Sequence, residues 1–319
     1  MRVLFVTATR IGDAVLSTGI LSHLVERCPR ARLTIAAGPL AAPLFAAVPG
    51  LERLIVVEKR RFGQHWLSLY RTVAARRWDI VVDLRGSALA WLLRAGERRV
   101  AGRRDSGEHR VRELGRLFGL DPPPAPRLWL APEHRRAAEA LLPPGGPVLA
   151  IGPAANWRGK QWRAENFAAL AQRLVAPEGI MPGARVAVLA AAHERRQAAP
   201  LLAALPPPRV VDLVGRTDLP VAAAVLQRTR LFVGNDTGLM HLAAAAGVPT
   251  LGLFGPSPAA RYAPWGDHCA VAQTAVPFAE LFPPGFDHRT TDTLMDSLSV
   301  ESAEAAAREL WRRVASAAA

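Results

Sequence analysis

The chain has 319 residues, half of them hydrophobic, a formal charge of +13 and only two cysteines. That length exceeds an ordinary single domain and favours two of roughly 150 residues each, while no apolar run approaches the ~18–20 residues of a membrane-spanning helix. Cys28 and Cys269 lie in different halves without metal-ligand spacing, which argues for free thiols in a reducing compartment rather than a disulfide framework or a thiolate metal site.

The opening MRVLFVTATR enters strand-like sequence at once, and its apolar part is too short for a signal peptide. The expectation is a chain that starts at Met1 and works in the cytoplasm. Residues 2–7 read as a buried strand. Ala14, Val15, Thr18, Leu21, Leu24 and Val25 then recur at helical spacing over 13–27. A strand at 32–37, a helix around 40–47, a strand at 53–57, a helix at 65–76 and a strand at 79–83 continue the alternation. This rhythm predicts a parallel sheet with helices on both faces.

Residues 121–147 interrupt it. DPPPAPRLWLAPEHRRAAEALLPPGGP is proline-rich at both ends and reads as a domain boundary carrying one short helix. The alternation restarts with strands at 147–151, 184–190, 209–213, 230–234 and 249–254. Helices are expected between them at 163–176, 194–204, 218–228 and 237–246, and an amphipathic helix at 300–316. Two α/β domains follow, 1–140 and 141–319, with the last helix free to pack back on the first. In two doubly wound domains facing a cleft, ligands are expected at the carboxyl ends of the strands.

Charge is unevenly divided. Residues 1–140 hold 24 Lys and Arg against 13 Asp and Glu, whereas 141–319 hold 16 against 14. A net +11 in the first half implies an anionic partner: a nucleic acid, an anionic membrane face or a charged substrate. The plain alternative is compositional habit, since Lys59 and Lys160 are the only lysines among 40 basic residues. Nothing but charge supports nucleic acid, because no zinc-finger, homeodomain-like or RNA-binding signature is present.

Three strand-to-helix turns carry polar residues where backbone N–H groups are free to meet a ligand. In VTATRIGDAVLSTG (6–19) no G-x-G-x-x-G follows the strand, so the turn is no dinucleotide fingerprint. Asp13 there is either an ordinary helix cap or a general base. In IGPAANWRGKQWRAENFAALAQRL (151–174), Lys160 is either a solvated surface lysine or a point charge for a phosphate. Trp157 and Trp162 read as packing residues. In LFVGNDTGLMHLAAAAGVPTLGLFGP (231–256), Thr237 and Gly238 suit close approach to a diphosphate. His241 follows Thr237 by one helical turn and is either a ligand contact or a packed core histidine. Glu194, after the strand at 184–190, could meet a ribose hydroxyl or be a solvated carboxylate at a helix start. Asp236 is the anomaly, a carboxylate in a turn built for anions. It either caps its helix and fixes the helix start or points into the cleft to meet another part of the ligand.

Together these stretches resemble glycosyltransferase family 9, the lipopolysaccharide heptosyltransferases. GNDTGLMHLAAAAGVPTLGLFGP resembles the family's C-terminal signature, RIGDAVLSTGIL its N-terminal turn and KQWRAENFAALAQRL its middle motif, in the family's order. Arg163 departs from the proline more usual after that tryptophan, a variation a helix start tolerates. The resemblance implies a GT-B fold, two Rossmann-like domains with the acceptor bound mainly by the first and a nucleotide sugar by the second. It implies inverting transfer without a metal or other cofactor, with ADP-heptose as the donor and an anionic lipopolysaccharide-core acceptor. Asp13 matches the catalytic base and Lys160 the residue that meets the donor phosphates. Asp236, Thr237, Gly238 and His241 match the donor-binding turn, and Glu194 the ribose contact. Arg10, Arg60, Arg61, Arg103 and Arg104 are candidates for the acceptor, which places the protein peripherally on the cytoplasmic face of the inner membrane. Two alternatives stay open: a GT-B nucleotide-sugar epimerase, which would convert donor with no acceptor present, and a non-catalytic basic binding protein.

Overall fold

The computed structural model describes residues 1–102, 107–282 and 285–318. Arg103 and Arg104 lie outside them. The chain forms two compact units, Met1–Ala131 and Pro132–Ala319.

The first unit contains β1 (Arg2–Val6), α1 (Ile11–Arg27), β2 (Arg32–Ala37), β3 (Leu51–Val56), α2 (Gln64–Val73), β4 (Trp78–Asp83), α3 (Leu89–Leu92), β5 (Ala95–Val100) and α4 (Arg110–Leu117). Among the described residues its strands form one five-stranded parallel sheet in the order β3-β2-β1-β4-β5. β1 is central and buried from Val3 to Val6, which explains its continuous apolar run. Leu4 and Val6 join α2 and α3 in one cluster with Leu69, Val73, Trp78, Leu89 and Leu93. Period-2 alternation turns Val3 and Phe5 to the opposite face. The helix expected at 40–47 is a single 3₁₀ turn, Ala42–Phe45, with a proline in its first positions.

The second unit contains α5 (Pro132–Leu141), β6 (Val148–Gly152), α6 (Ala164–Val175), β7 (Arg185–Val188), α7 (Arg195–Ala204), β8 (Val210–Asp212), α8 (Leu219–Leu226), β9 (Leu231–Asn235), α9 (Gly238–Ala245), β10 (Thr250–Phe254), α10 (Ala259–Tyr262), β11 (Cys269–Gln273) and α11 (Val300–Ala318). Its sheet, also parallel, runs β11-β10-β9-β6-β7-β8. Leu149, Ile151, Val186, Val188, Leu231 and Val233 share one core with Phe167, Leu170, Leu201, Ala303, Ala307 and Leu310. The last helix packs within its own unit, on α6, β10 and β11. Its apolar residues at i, i+4 and i+7 supply the face.

The units divide at 131/132, ahead of the 140/141 division expected from the proline-rich stretch. The reason is local packing. Residues 124–127 lie against α1, where the Arg127 amide donates to Thr18 Oγ1 at 3.0 Å. A Cβ on Gly19 would stand 2.2 Å from the Pro124 carbonyl oxygen, so only glycine admits this approach. α5, in contrast, packs against α8 of the second unit.

Both strand orders are those of doubly wound dinucleotide-type folds. Each reverses direction once, between β1 and β4 in the first sheet and between β6 and β9 in the second. The turns leaving these four strands occupy the places where open α/β sheets hold ligands.

Candidate functional site

In the second unit, β6 and β9 end side by side on Gly152 and Gly234. A Cβ on Gly234 would come within 2.7 Å of the Phe232 ring and 2.9 Å of the Gly152 carbonyl oxygen. Beyond them the chain from β9 passes through Asn235, Asp236 and Thr237 into α9. Thr237, not Asp236, occupies the N-cap, with extended backbone and no side-chain capping bond. Of the two roles open to Asp236, the N-cap is thus taken by another residue. A side chain one residue too early cannot reach the inner N–H groups of the helix.

The Asp236 carboxylate instead faces Lys160 on the turn that follows β6. Lys160 Nζ donates to Asp236 Oδ2 at 2.5 Å. Asp236 is 7 % exposed and the lysine side chain 23 %. Across the same carboxylate, His241 Nε2 lies 4.0 Å from Oδ1. His241 is itself buried, one turn into α9. Three residues separated by up to 81 positions therefore share one buried anion. Thr237 and Gly238 stay partly exposed beside it, at the amino end of α9. The arrangement combines free helix-start N–H groups with a tethered ammonium, and both favour an anionic ligand. An ammonium has three N–H donors, and Asp236 takes one.

Several groups hold this geometry. Asn235 is fully buried. Its Oδ1 accepts the Trp162 amide at 3.1 Å and its Nδ2 donates to the Pro153 carbonyl at 2.8 Å, which locks the Lys160 turn to the end of β9. Residues 286–298 strap the same turn from outside. Thr293 Oγ1 donates to the Gln161 carbonyl at 2.5 Å, and Arg158 Nε to Asp292 at 2.9 Å. Arg163 makes a two-pronged pair with Asp296 at 2.6 and 2.7 Å. The Asp296 hydrogen bonds hold the Arg163 guanidinium well above its ordinary pKa. A proline at 163 could not make this pair. Trp157 donates to the His288 carbonyl and Trp162 to that of Leu298, both at 2.8 Å, so both indoles serve packing as expected. Sequence reading missed Asn235 and this strap. The polar neighbour of Asp236 within GNDTG was a signal for the first, but nothing local announces the second.

Glu194 lies after β7, at the same carboxyl edge. Its Oε2 accepts the Ala191 amide at 2.8 Å, so it closes its own 3₁₀ turn and no described residue links it to Lys160, Asp236 or His241. Nearby, Gln197 Oε1 accepts the Ala155 amide at 3.0 Å and Gln161 Nε2 donates to the Ala155 carbonyl at 3.1 Å.

In the first unit, Asp13 is the third residue of α1, while Arg10 takes the N-cap without a side-chain capping bond. Asp13 is partly exposed, and its carboxylate makes no hydrogen bond or ion pair with a described residue. It is not an ordinary cap. An unoccupied acceptor carboxylate at the end of a central strand can take a proton from a bound hydroxyl. Arg10, Arg60 and Arg61 are exposed at the same carboxyl edge, after β1 and β3. The amide of Arg60 donates to His65 Nδ1 at 3.3 Å. Among the described residues, no group of three or more His, Cys, Asp or Glu could hold a metal ion, and no helix is long and apolar enough to cross a membrane.

Known proteins show the same organisation. Lipopolysaccharide heptosyltransferase 1 of Pseudomonas aeruginosa is 31 % identical over 291 residues, covering 81 % of this chain and 79 % of the relative. The solved structure of Escherichia coli ADP-heptose lipopolysaccharide heptosyltransferase II superimposes with a TM-score of 0.76 at 19 % identity, covering 98 % of this chain and 99 % of that one. An E. coli heptosyltransferase solved with ADP gives 0.71 at 19 %, covering 97 % and 100 %. These likenesses establish the GT-B fold. The family model described as glycosyltransferase family 9 (heptosyltransferase) matches residues 109–277, more than half of the chain and all of the Lys160–Asp236 site. The chain therefore belongs to glycosyltransferase family 9 and is a glycosyltransferase.

Proposed function

We propose that this enzyme transfers heptose from ADP-heptose to a sugar hydroxyl of a lipopolysaccharide core, with inversion and without a metal. The observation that carries the donor half is the Lys160–Asp236 pair beside the open amino end of α9. Asp236 aims the ammonium and neutralises part of its charge, and the two remaining N–H donors are left for the diphosphate. Thr237 and Gly238 supply backbone N–H groups to the same phosphates, and His241 and Glu194 are assigned to the donor's sugar and ribose.

In the first unit, Asp13 takes the proton of the acceptor hydroxyl. The hydroxyl oxygen forms the new bond to the anomeric carbon from the face opposite ADP, and the bond to the β-phosphate oxygen breaks. The electron pair leaves on that oxygen, where Lys160 and the α9 N–H groups stabilise it. A tethered ammonium plus helix-start dipoles can supply the positive field that a divalent ion would otherwise provide. Arg10, Arg60, Arg61, Arg103 and Arg104 are assigned to the anionic acceptor, with the protein cytoplasmic and peripheral on the inner membrane. The test is transfer from ADP-, GDP- and UDP-sugars onto core acceptors extracted from heptose-deficient bacteria, with and without chelator. Transfer from ADP-heptose that survives chelation, with inverted product, is expected. Success only with another nucleotide, or a strict metal requirement, overturns the reading.

A further inference from the structure

The first sheet reverses direction between β1 and β4. The turn leaving β1 carries Asp13, and the turn leaving β4 carries Asp83-Leu84-Arg85-Gly86-Ser87. Val6 and Asp83 are register partners, so the two turns start side by side. The second turn is built to hold one conformation. Asp83 is fully buried. Its Oδ1 accepts the Arg85 amide at 2.9 Å, and its Oδ2 accepts the Ser87 amide at 2.9 Å and the Ser87 hydroxyl at 2.5 Å. Gly86 adopts φ +61°, and a Cβ there would stand 2.6 Å from the Ala101 carbonyl oxygen. This conformation fixes where Arg85 leaves the backbone.

The Arg85 guanidinium rests over the Trp66 ring, 4.6 Å from its centroid. It is only partly exposed, and it makes no hydrogen bond or ion pair with any described residue. Burial lowers its pKa while the neighbouring Asp83 charge opposes the shift. Five N–H donors in a fixed fork are thus carried into a partly desolvated place without acceptors, although such donors ordinarily find them. Stacking on an indole holds the plane of the fork and leaves its edge open. A forked edge matches the paired oxygens of a carboxylate or a phosphoryl group.

We propose that Arg85 binds an oxyanion of the acceptor, a carboxylate or phosphoryl group next to the hydroxyl that Asp13 deprotonates. The assignment rests on the acceptor reading above. It adds a residue that the family resemblance does not supply and that is separate from the exposed arginines at 10, 60 and 61. Arg85 sets which hydroxyl reaches the base by anchoring the charge beside it.

The experiment compares wild type, Arg85→Gln and Arg85→Lys on three acceptors: extracted heptose-deficient core, the same core after carboxyl reduction, and the same core after phosphate removal. Arg85→Gln is expected to raise the acceptor KM roughly 10–100-fold, the range of a charged two-pronged contact. The donor KM stays within two-fold, and Arg85→Lys recovers part of the loss. On the acceptor stripped of the recognised group, wild type falls to the level of Arg85→Gln and the substitution has no further effect. Which treated acceptor behaves so identifies the oxyanion. Thermal melts of both variants separate binding loss from misfolding, and Arg85→Lys keeps the stacked cation if glutamine does not fold. An unchanged acceptor KM, or equal losses on all three acceptors, overturns the assignment of Arg85 while leaving the transferase reading intact. Failure of the wild-type chain to transfer to any acceptor overturns both.

Discussion

Asp13 and Asp236 each follow a strand at the reversal point of a doubly wound sheet, Asp13 in the first turn of the helix after β1 and Asp236 on the turn between β9 and α9. Their surroundings are opposite. Asp236 is buried, bonded to Lys160 and approached by His241. Asp13 is partly exposed and unbonded among the described residues. A carboxylate bonded to an ammonium is committed to that donor, whereas one with vacant lone pairs is open to a hydrogen bond from a bound hydroxyl. The comparison teaches that the role of an aspartate after a strand follows from what the neighbouring turn places against it. In the second unit that neighbour is the lysine turn of β6, and in the first it is the arginine turn of β4.

The sharpest way to break this contrast is to remove each carboxylate in turn. Asp13→Ala should lower kcat by roughly 10²–10⁴-fold, the usual contribution of a general base. ADP affinity should stay within two-fold, and steady-state kinetics beside calorimetric ADP titration would reveal a base elsewhere if turnover persisted. Lys160→Ala should lower kcat roughly 10–100-fold and weaken ADP binding, because it removes a charged donor to the leaving group. Unchanged ADP affinity would show that the lysine serves Asp236 alone. In thermal melts, Asp236→Ala should cost about 1–3 kcal/mol, since it strips a partly buried ammonium of its acceptor. Asp13→Ala should cost less than about 1 kcal/mol, as only a favourable helix-start charge is lost. Equal losses from the two substitutions would erase the distinction.

A gentler difference separates the units in acid. The backbone amide of Thr293, followed by Arg158, holds Asp292 below its ordinary range. For Glu301 the cause is its own amide and then Arg173. Burial pushes Glu304 up, but Arg308 and Arg173 outweigh it and leave it lowered. A carboxyl lowered in the folded state adds stability that is present above its unfolded pKa and is lost as pH falls through the folded value. Hydrogen exchange should therefore show the strap and α11 loosening below about pH 4, before the core of the first sheet. Simultaneous loosening of β1 would contradict this. The smallest effect concerns Cys269, whose thiol burial pushes up to about 12. Its alkylation at pH 8, followed by intact mass, should run at least ~10-fold slower than that of a free small thiol.

Much of this molecule was readable from residue order. β2 falls on the expected 32–37, and the strands from β6 to β10 lie within one or two residues of their expected bounds; β6, β9 and β10 are buried throughout, and buried parallel strands read as apolar runs. β5 went unread since AGERRV is charged. Arg98 finds its acceptors in the carbonyls of Ala90, Leu93 and Ala95, which no local pattern reveals. β11 was also missed; it is an edge strand with one buried residue, Ala272. Lys160 and Asp236 each stand out on their own turns, but their partnership spans 76 positions and exists only once β6 and β9 lie side by side. Arg85 was passed over because DLRGS carries no motif. Its meaning comes from the absence of acceptors for its guanidinium among the described residues.

The segment laid over α1 has a practical corollary for building chimeras. Arg127 and Pro124 touch the helix that begins two residues before Asp13, through Thr18 and Gly19. Swapping the amino-terminal half between family members, to test its proposed acceptor role, would break that fit if the junction fell just before the prolines at 122–124. A junction at 131/132 carries the helix, its glycine and its covering strand of chain together, and so transplants the proposed base, Asp13, in its own mounting.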